Sequence, residues 1–228
     1  MNVLIDKLSE LGYSRTDLPL RDLIVVNCVP GAGKTSLIRE LVRQNQIIEA
    51  FTTGPGEEPD ISGTAIRKWE GVTDQSRFTI LDEYQNLEEV PKGVQALFGD
   101  PSQGNKGLAL RPHWFKRESH RFGKNTAELL RKIGYSLESE REDEVQIGDI
   151  FKVEPEGQII CCEREVEELL VQHNADFLKL CEVIGKTFDK VTFITSCKFE
   201  EAVKADHYVC LSRHKSKLLI LCPGGMYY

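Results

Sequence analysis

Apolar residues recur along this chain in two alternating patterns. Short runs rich in β-branched residues (Leu23 to Val26, Ile47 to Thr52, Phe78 to Leu81, Gln158 to Cys162 and Val191 to Ile194) read as buried strands. The stretch Val94 to Gln103 reads as a further strand that ends in a loop, and a last strand closes at Leu221. Between them lie segments with apolar positions at helical spacing: Val3 to Leu11, Ser36 to Arg43, Asn125 to Ile133 with Asn125 as its cap, Glu163 to Val171, and Phe199 to Ala205. Strand and helix patterns in alternation predict an α/β fold built on parallel sheets. Gly54 to Asp60 is too rich in Gly and Pro to be anything but loop.

The most informative junction follows the first strand. Val29-Pro-Gly-Ala-Gly-Lys-Thr35 joins that strand to the Ser36 helix. Its glycines let backbone N–H groups face inward, and the helix that follows adds its positive end. Pro30, Gly31, Ala32, Gly33, Lys34, Thr35 and Ser36 are therefore the expected nucleotide-phosphate cradle. Lys34 reaches the phosphates, and the Thr35 hydroxyl is an expected Mg²⁺ ligand. Cys28 stands where the full pattern has its first glycine.

Two further strand ends carry matching chemistry. Phe78 to Leu81 ends in Asp82-Glu83, 48 positions after Lys34. A carboxylate there can hold Mg²⁺ together with the cradle hydroxyl, which assigns Asp82 to the metal. Its neighbour Glu83 is the expected general base for an attacking water. Gly99-Asp100-x-x-Gln103 places an amide at a strand end, where Gln103 can contact the γ-phosphate or the water, with Asp100 near the metal. Arg121, in Ser119-His-Arg-Phe122, is a candidate phosphate contact. Arg213, in Ser212-Arg-His214, is a candidate for stabilising charge that develops on the transferred phosphoryl group. His214, beside Arg213, is the one histidine of five placed near chemistry.

Charge and cysteine usage narrow the class. A net charge of −7 argues against a simple basic coat protein. The distribution is uneven: Leu137 to Glu168 is strongly acidic. Arg111 to Lys132 is basic and interleaved with Trp114, Phe115 and Phe122, an arrangement suited to a single-stranded backbone with bases stacked on rings. Seven cysteines show no C-x-x-C pair and no histidine at zinc spacing, which favours a reducing compartment over a disulfide framework. No apolar run reaches the length of a membrane span.

In order, Gly31-Ala-Gly-Lys-Thr35, Leu81-Asp-Glu-Tyr84, Gly99-Asp-Pro-Ser-Gln103, Ser119-His-Arg-Phe122, Gly185-Lys-Thr-Phe188 and Leu211-Ser-Arg-His-Lys215 resemble the motif series of superfamily 1 viral RNA helicases. Leu11-Gly-Tyr-Ser-Arg-Thr16 and the compact length resemble one branch, the triple-gene-block movement proteins of flexuous plant RNA viruses of carlavirus and potexvirus type. Ile184 departs from the pattern, which often has glutamine before Gly185.

The resemblance implies two RecA-like parallel-sheet lobes, residues 1–115 and 116–228, with an NTP cleft between them. It implies a Mg²⁺-dependent ATPase, or other NTP hydrolase, of RNA-helicase type that supports cell-to-cell transport of viral RNA and suppresses host silencing. Implied partners are single-stranded viral RNA, the viral coat protein, the other triple-gene-block proteins, host silencing components and further copies of the chain. The implied location is the host cytoplasm, with plasmodesmata. The alternative from a binding class is an RNA-binding movement and suppressor scaffold with residual NTPase activity. A nucleoside or nucleotide kinase also fits size and cradle, but it needs an acceptor pocket and lid rather than Gly-Asp-x-x-Gln and a distant Ser-Arg-His.

Overall fold

The computed structural model describes the chain apart from residues 57, 59–64, 105–106 and 200–203. It divides into two compact units, Met1–Arg117 and Glu118–Tyr228.

The first unit is organised by β2 (Ile24–Cys28), whose side chains point alternately to the two faces of a seven-stranded sheet. The sheet order is β1 (Ser14–Arg15), β7 (Trp114–Lys116), β2, β6 (Ala96–Gly99), β5 (Phe78–Asp82), β3 (Ile48–Thr52) and β4 (Arg67–Lys68). Only the β1–β7 pair is antiparallel among the described residues. On one face Ile24, Val26, Ile80 and Phe98 pack with Leu4 and Leu8 of α1 (Asn2–Glu10) and with Leu37, Ile38 and Leu41 of α2 (Lys34–Gln44). On the other face Val25, Leu81 and Leu97 pack with Phe51 and Tyr84. Apolar side chains on both faces are why these strands read as continuous hydrophobic runs.

The second unit carries a five-stranded, wholly parallel sheet in the order β10 (Phe177–Lys179), β9 (Gln158–Cys161), β11 (Lys190–Ile194), β12 (Lys217–Cys222) and β8 (Glu144–Asp149). Its helices are α3 (Lys124–Lys132), α4 (Arg164–Gln172), the short α5 (Leu180–Val183) and α6 (Lys204–Leu211). Val166 and Leu170 of α4 bury against Cys161, Ile194, Leu219 and Leu221.

The expected α/β fold on parallel sheets is what forms. The expected boundary between residues 115 and 116 falls inside β7, which pairs with β2 as far as Cys28↔Lys116. That pairing carries the first unit through Lys116, and the division follows Arg117. The helix expected over Phe199 to Ala205 lies partly outside the described residues; the helix there runs Lys204–Leu211. Part of the expected Gly54 to Asp60 loop also lies outside them. Asn125 does not cap α3: Gly123 holds the cap position, and the Asn125 N–H donates to Asp143 Oδ1 at 3.0 Å. Among the described residues no helix is long and apolar enough to cross a membrane.

Candidate functional site

The site is built at the carboxyl ends of β2, β5 and β6. After Cys28 the chain turns through Val29 to Gly33 and enters α2 at Lys34. Gly33 sits at the helix cap with φ 89°, left-handed backbone that an L side chain enters only with strain. Ala32 N–H donates to Val29 O at 3.2 Å, which closes the turn. Cys28, by contrast, is the last residue of a strand and is buried, with Sγ 4.0 Å from Gly99 O. Because the backbone curls only after it, a cysteine is accommodated where the full motif has glycine.

Lys34 Nζ donates to Asp82 Oδ1 at 2.6 Å and also to Glu83 Oε1. All three side chains are largely shielded from water. Burial opposes the Lys34 charge, but Asp82 and Glu83 outweigh it and hold the ammonium protonated. Burial raises the Asp82 carboxyl above its ordinary value, with the Glu83 charge adding to that, while Lys34 pulls it back. Glu83 adopts φ 59°, unusual for a residue with a side chain, and this bend turns its carboxylate back toward Lys34.

Behind Glu83 lies a polar chain whose linking member, Gln85, the motifs do not name. Gln85 Nε2 donates to Glu83 Oε2, and Gln85 Oε1 accepts from the Asp100 N–H at 3.2 Å. Asp100 in turn accepts from Ser102 N–H at 3.1 Å and from Gln103 Nε2 at 3.2 Å. Gly99 makes this approach sterically feasible: a Cβ there would lie 2.4 Å from Gln85 Oε1 and 2.7 Å from Tyr84 Cδ1. Tyr84, fully buried, anchors the turn by donating to Asn27 Oδ1 at 2.8 Å. The structure thus links Lys34, Asp82, Glu83, Asp100 and Gln103, with Gln85 as the connection that sequence reasoning missed.

The donor set fits a nucleotide phosphate and Mg²⁺. The largely shielded ammonium stands at a helix N-terminus, next to backbone N–H groups, a setting suited to an anion. A carboxylate and a hydroxyl, Asp82 and Thr35, are the hard oxygen ligands that Mg²⁺ takes.

A cleft of about 460 Å³ opens on the β7 side of the turn, lined by residues that include Cys28, Asp100, Arg111, Phe115, Lys116 and Arg117. The Arg117 guanidinium lies 4.8 Å over the Phe115 ring. Trp114 and Phe122, expected as stacking rings, are buried core residues instead and present no face to a base.

In the second unit Arg121 and Arg213 meet at Ser212. Arg121 NH1 donates to Ser212 O at 3.1 Å, and Arg213 Nε donates to Val209 O at 2.9 Å. Arg213 is only 2% exposed, and its carbonyl accepts from Phe188 N–H at 2.8 Å, which ties the Gly185-Lys-Thr-Phe188 loop to the Ser212-Arg213 turn. His214 is wholly buried and serves packing: Nε2 lies 2.9 Å from Thr126 Oγ1 and 3.2 Å from Asp143 Oδ2.

Residues 24–222 match the family model of the viral superfamily 1 RNA helicase core domain. The movement and silencing protein TGBp1 of Apple stem pitting virus (isolate PA66) is 45% identical over 223 residues, covering 97% of this chain and 99% of that protein. The protein of the same name from Poplar mosaic virus (isolate ATCC Pv275) is 39% identical over 230 residues, covering 100% of this chain and 99% of that one. Among solved structures, arterivirus nonstructural protein 10 (helicase) in complex with DNA aligns with a TM-score of 0.55 at 17% identity, over 96% of this chain and 56% of that one. This chain therefore spans little more than half of that helicase, and the likeness shows a shared fold. The chain belongs to the viral superfamily 1 RNA helicase core family, in the branch of the movement and silencing proteins TGBp1.

Proposed function

We propose that this chain is a Mg²⁺-dependent NTP hydrolase of RNA-helicase type that binds single-stranded viral RNA in the service of movement and silencing, the roles its relatives' names state, and that its part in silencing is to suppress that of the host. One observation carries the reading: Lys34, at the start of α2, is clamped, half-buried, between Asp82 and Glu83 at the end of β5. An ammonium neutralised this way is poised to exchange its carboxylate partners for phosphate oxygens.

In this reading residues Pro30 to Ser36 bind the phosphates through backbone N–H groups and the Lys34 ammonium. Thr35 and Asp82 hold Mg²⁺, which draws negative charge off the phosphate oxygens when bound. Once Lys34 turns to phosphate, the Glu83 carboxylate accepts a proton from water, and Gln85 keeps it oriented. Gln103, held by Asp100, reads the γ-phosphate end. Arg121 and Arg213 take the charge-stabilising roles that the helicase motif series gives them. Arg111, Lys116 and Arg117, lining the cleft beside β7, are the proposed contacts to the RNA backbone, with Phe115 the stacking ring. The viral coat protein, the other triple-gene-block proteins, host silencing components and further copies of the chain are proposed partners, in the host cytoplasm and at plasmodesmata.

The test is phosphate release from ATP and GTP with Mg²⁺, with and without single-stranded RNA, comparing the parent with Lys34→Ala. RNA-stimulated release that disappears in Lys34→Ala supports the reading. Release that is absent from the parent, or unchanged in Lys34→Ala, overturns it.

A further inference from the structure

The second unit gathers metal-ligand side chains that nucleotide chemistry does not use. They come from segments far apart in sequence. Cys162 and Glu163 join β9 to α4, Cys197 lies just beyond β11, His207 lies within α6, and Tyr227 stands near the end of the chain. The first three sit past the carboxyl ends of parallel strands, the edge where open α/β sheets collect ligands.

The geometry is compact. One ligand atom each from Cys162, Glu163 and His207 lie within 4.8 Å of one another. His207 Nε2 is 3.1 Å from Glu163 Oε1, and Cys197 Sγ is 3.7 Å from that same oxygen. A tetrahedral zinc ion, with bonds of about 2.3 Å to sulfur and about 2.0–2.1 Å to nitrogen, holds its ligand atoms about 3.3–3.8 Å apart. Only small shifts separate this cluster from that spacing.

Two more observations point to a cation. His207 is fully buried, and its Nδ1 lies 2.8 Å from the Tyr227 hydroxyl. Nε2 hydrogen-bonds Glu163 Oε1 in the metal-free chain; with Nδ1–H donating to the Tyr227 hydroxyl, the Nε2 lone pair goes to the ion once that bond is released. This is how an outer partner orients a metal-bound imidazole. The other carboxylate oxygen, Glu163 Oε2, is buried with no hydrogen-bond partner among the described residues. Such an oxygen carries a penalty that a bound cation removes.

We propose that Cys162 Sγ, the Glu163 carboxylate and His207 Nε2 form a binding site for a zinc-class divalent cation, with Cys197 Sγ within reach of the fourth position. Thiolate, imidazole and carboxylate together suit a borderline ion, not Mg²⁺, which prefers oxygen alone. Cys162 and Cys197 are partly exposed and give the ion its way in. On binding, the thiols give up their protons to the buffer and the imidazole binds in its neutral form. The ion pins α6 to the ends of β9 and β11. Because α6 runs directly into Ser212 and Arg213, it also fixes the base of the segment that carries Arg213.

The test is titration of the reduced, metal-stripped full chain with Co²⁺, followed by thiolate-to-cobalt charge-transfer absorption and displacement by Zn²⁺. One equivalent per chain is expected. Cys162→Ser abolishes the band, and Cys181→Ser, which removes an exposed thiol elsewhere, keeps it. Tyr227→Phe, a conservative change outside the ligand set, weakens binding by about 10–100-fold. A folded parent chain that shows no thiolate band, or an equal band in Cys162→Ser, overturns the site. Nucleotide hydrolysis is not read, so this outcome is separate from that of the hydrolase test.

Discussion

Lys34 and Asp82 are separated by 48 residues in sequence and by 2.6 Å in the fold. Each is the other's principal charge partner in a shielded site, with Glu83 the third member. Removing the ammonium leaves two carboxylates facing each other with little water to screen them. Lys34→Ala is therefore expected to destabilise the first unit by about 3–5 kcal/mol, the cost typical of breaking a buried pair from one side. Adding Asp82→Asn to that variant should recover part of the loss, read from urea midpoints of the two variants. An additive further loss would contradict the pairing.

Glu83 should matter to turnover more than to binding. Glu83→Gln keeps the shape and the contact to Gln85 but cannot accept a proton. Hydrolysis is expected to fall by about 10²–10⁴-fold while nucleotide affinity stays near that of the parent. Single-turnover assays beside equilibrium binding separate the two effects.

The Gln85 relay is open to a steric test. Gly99→Ala drives a Cβ against Gln85 Oε1 and the Tyr84 ring, so both side chains must move. A stability loss of about 1–3 kcal/mol is expected from overpacking, together with slower hydrolysis as Glu83 loses its orienting partner. Gln85→Ala should reproduce the loss of rate without the clash.

Acid sensitivity of the second unit should trace in part to Asp143. Its carboxyl is buried, which alone would raise its pKa. Hydrogen bonds from His214, Thr126 and the Gly123 N–H outweigh that and hold it below its ordinary 3.8. Nearby, Lys124 and Glu142 pair with each other at 2.9 Å. A depressed carboxyl contributes stability above the unfolded value and loses it as pH falls through the folded one. Chemical denaturation from about pH 5 downward should show stability falling below about pH 4, and Asp143→Asn should flatten that slope.

The strands that carry the phosphate cradle and Asp82-Glu83 were legible because they are buried on both faces and read as unbroken apolar runs. β8 was not: its residues alternate Glu, Val, Gln, Ile at a sheet edge, half in water, and the acidic stretch hides them. β7 is hidden because its three residues follow Arg111, Pro112 and His113 and owe their strand to pairing with β2 and β1. The cradle lysine and the carboxylates were named from motif and order, whereas Gln85 depends on the left-handed bend at Glu83 and the bare backbone of Gly99. The histidine at the Cys162–Glu163 cluster was invisible for another reason. His207 lies 44 residues from Glu163 in sequence, and no local spacing encodes a meeting made by a whole sheet. His214, singled out from its neighbour Arg213, proves to be a core group bonded to Thr126 and Asp143.

Lys34, clamped by Asp82 and Glu83, is proposed as the anion partner of a Mg²⁺-bound nucleoside triphosphate. Calorimetric titration of Mg²⁺–ATP into the full chain, beside Lys34→Ala shown to be folded, tests it most directly. Affinity is expected to fall by about 10–100-fold in the variant, the worth of a charge-assisted contact. Equal affinity in the two proteins would contradict it.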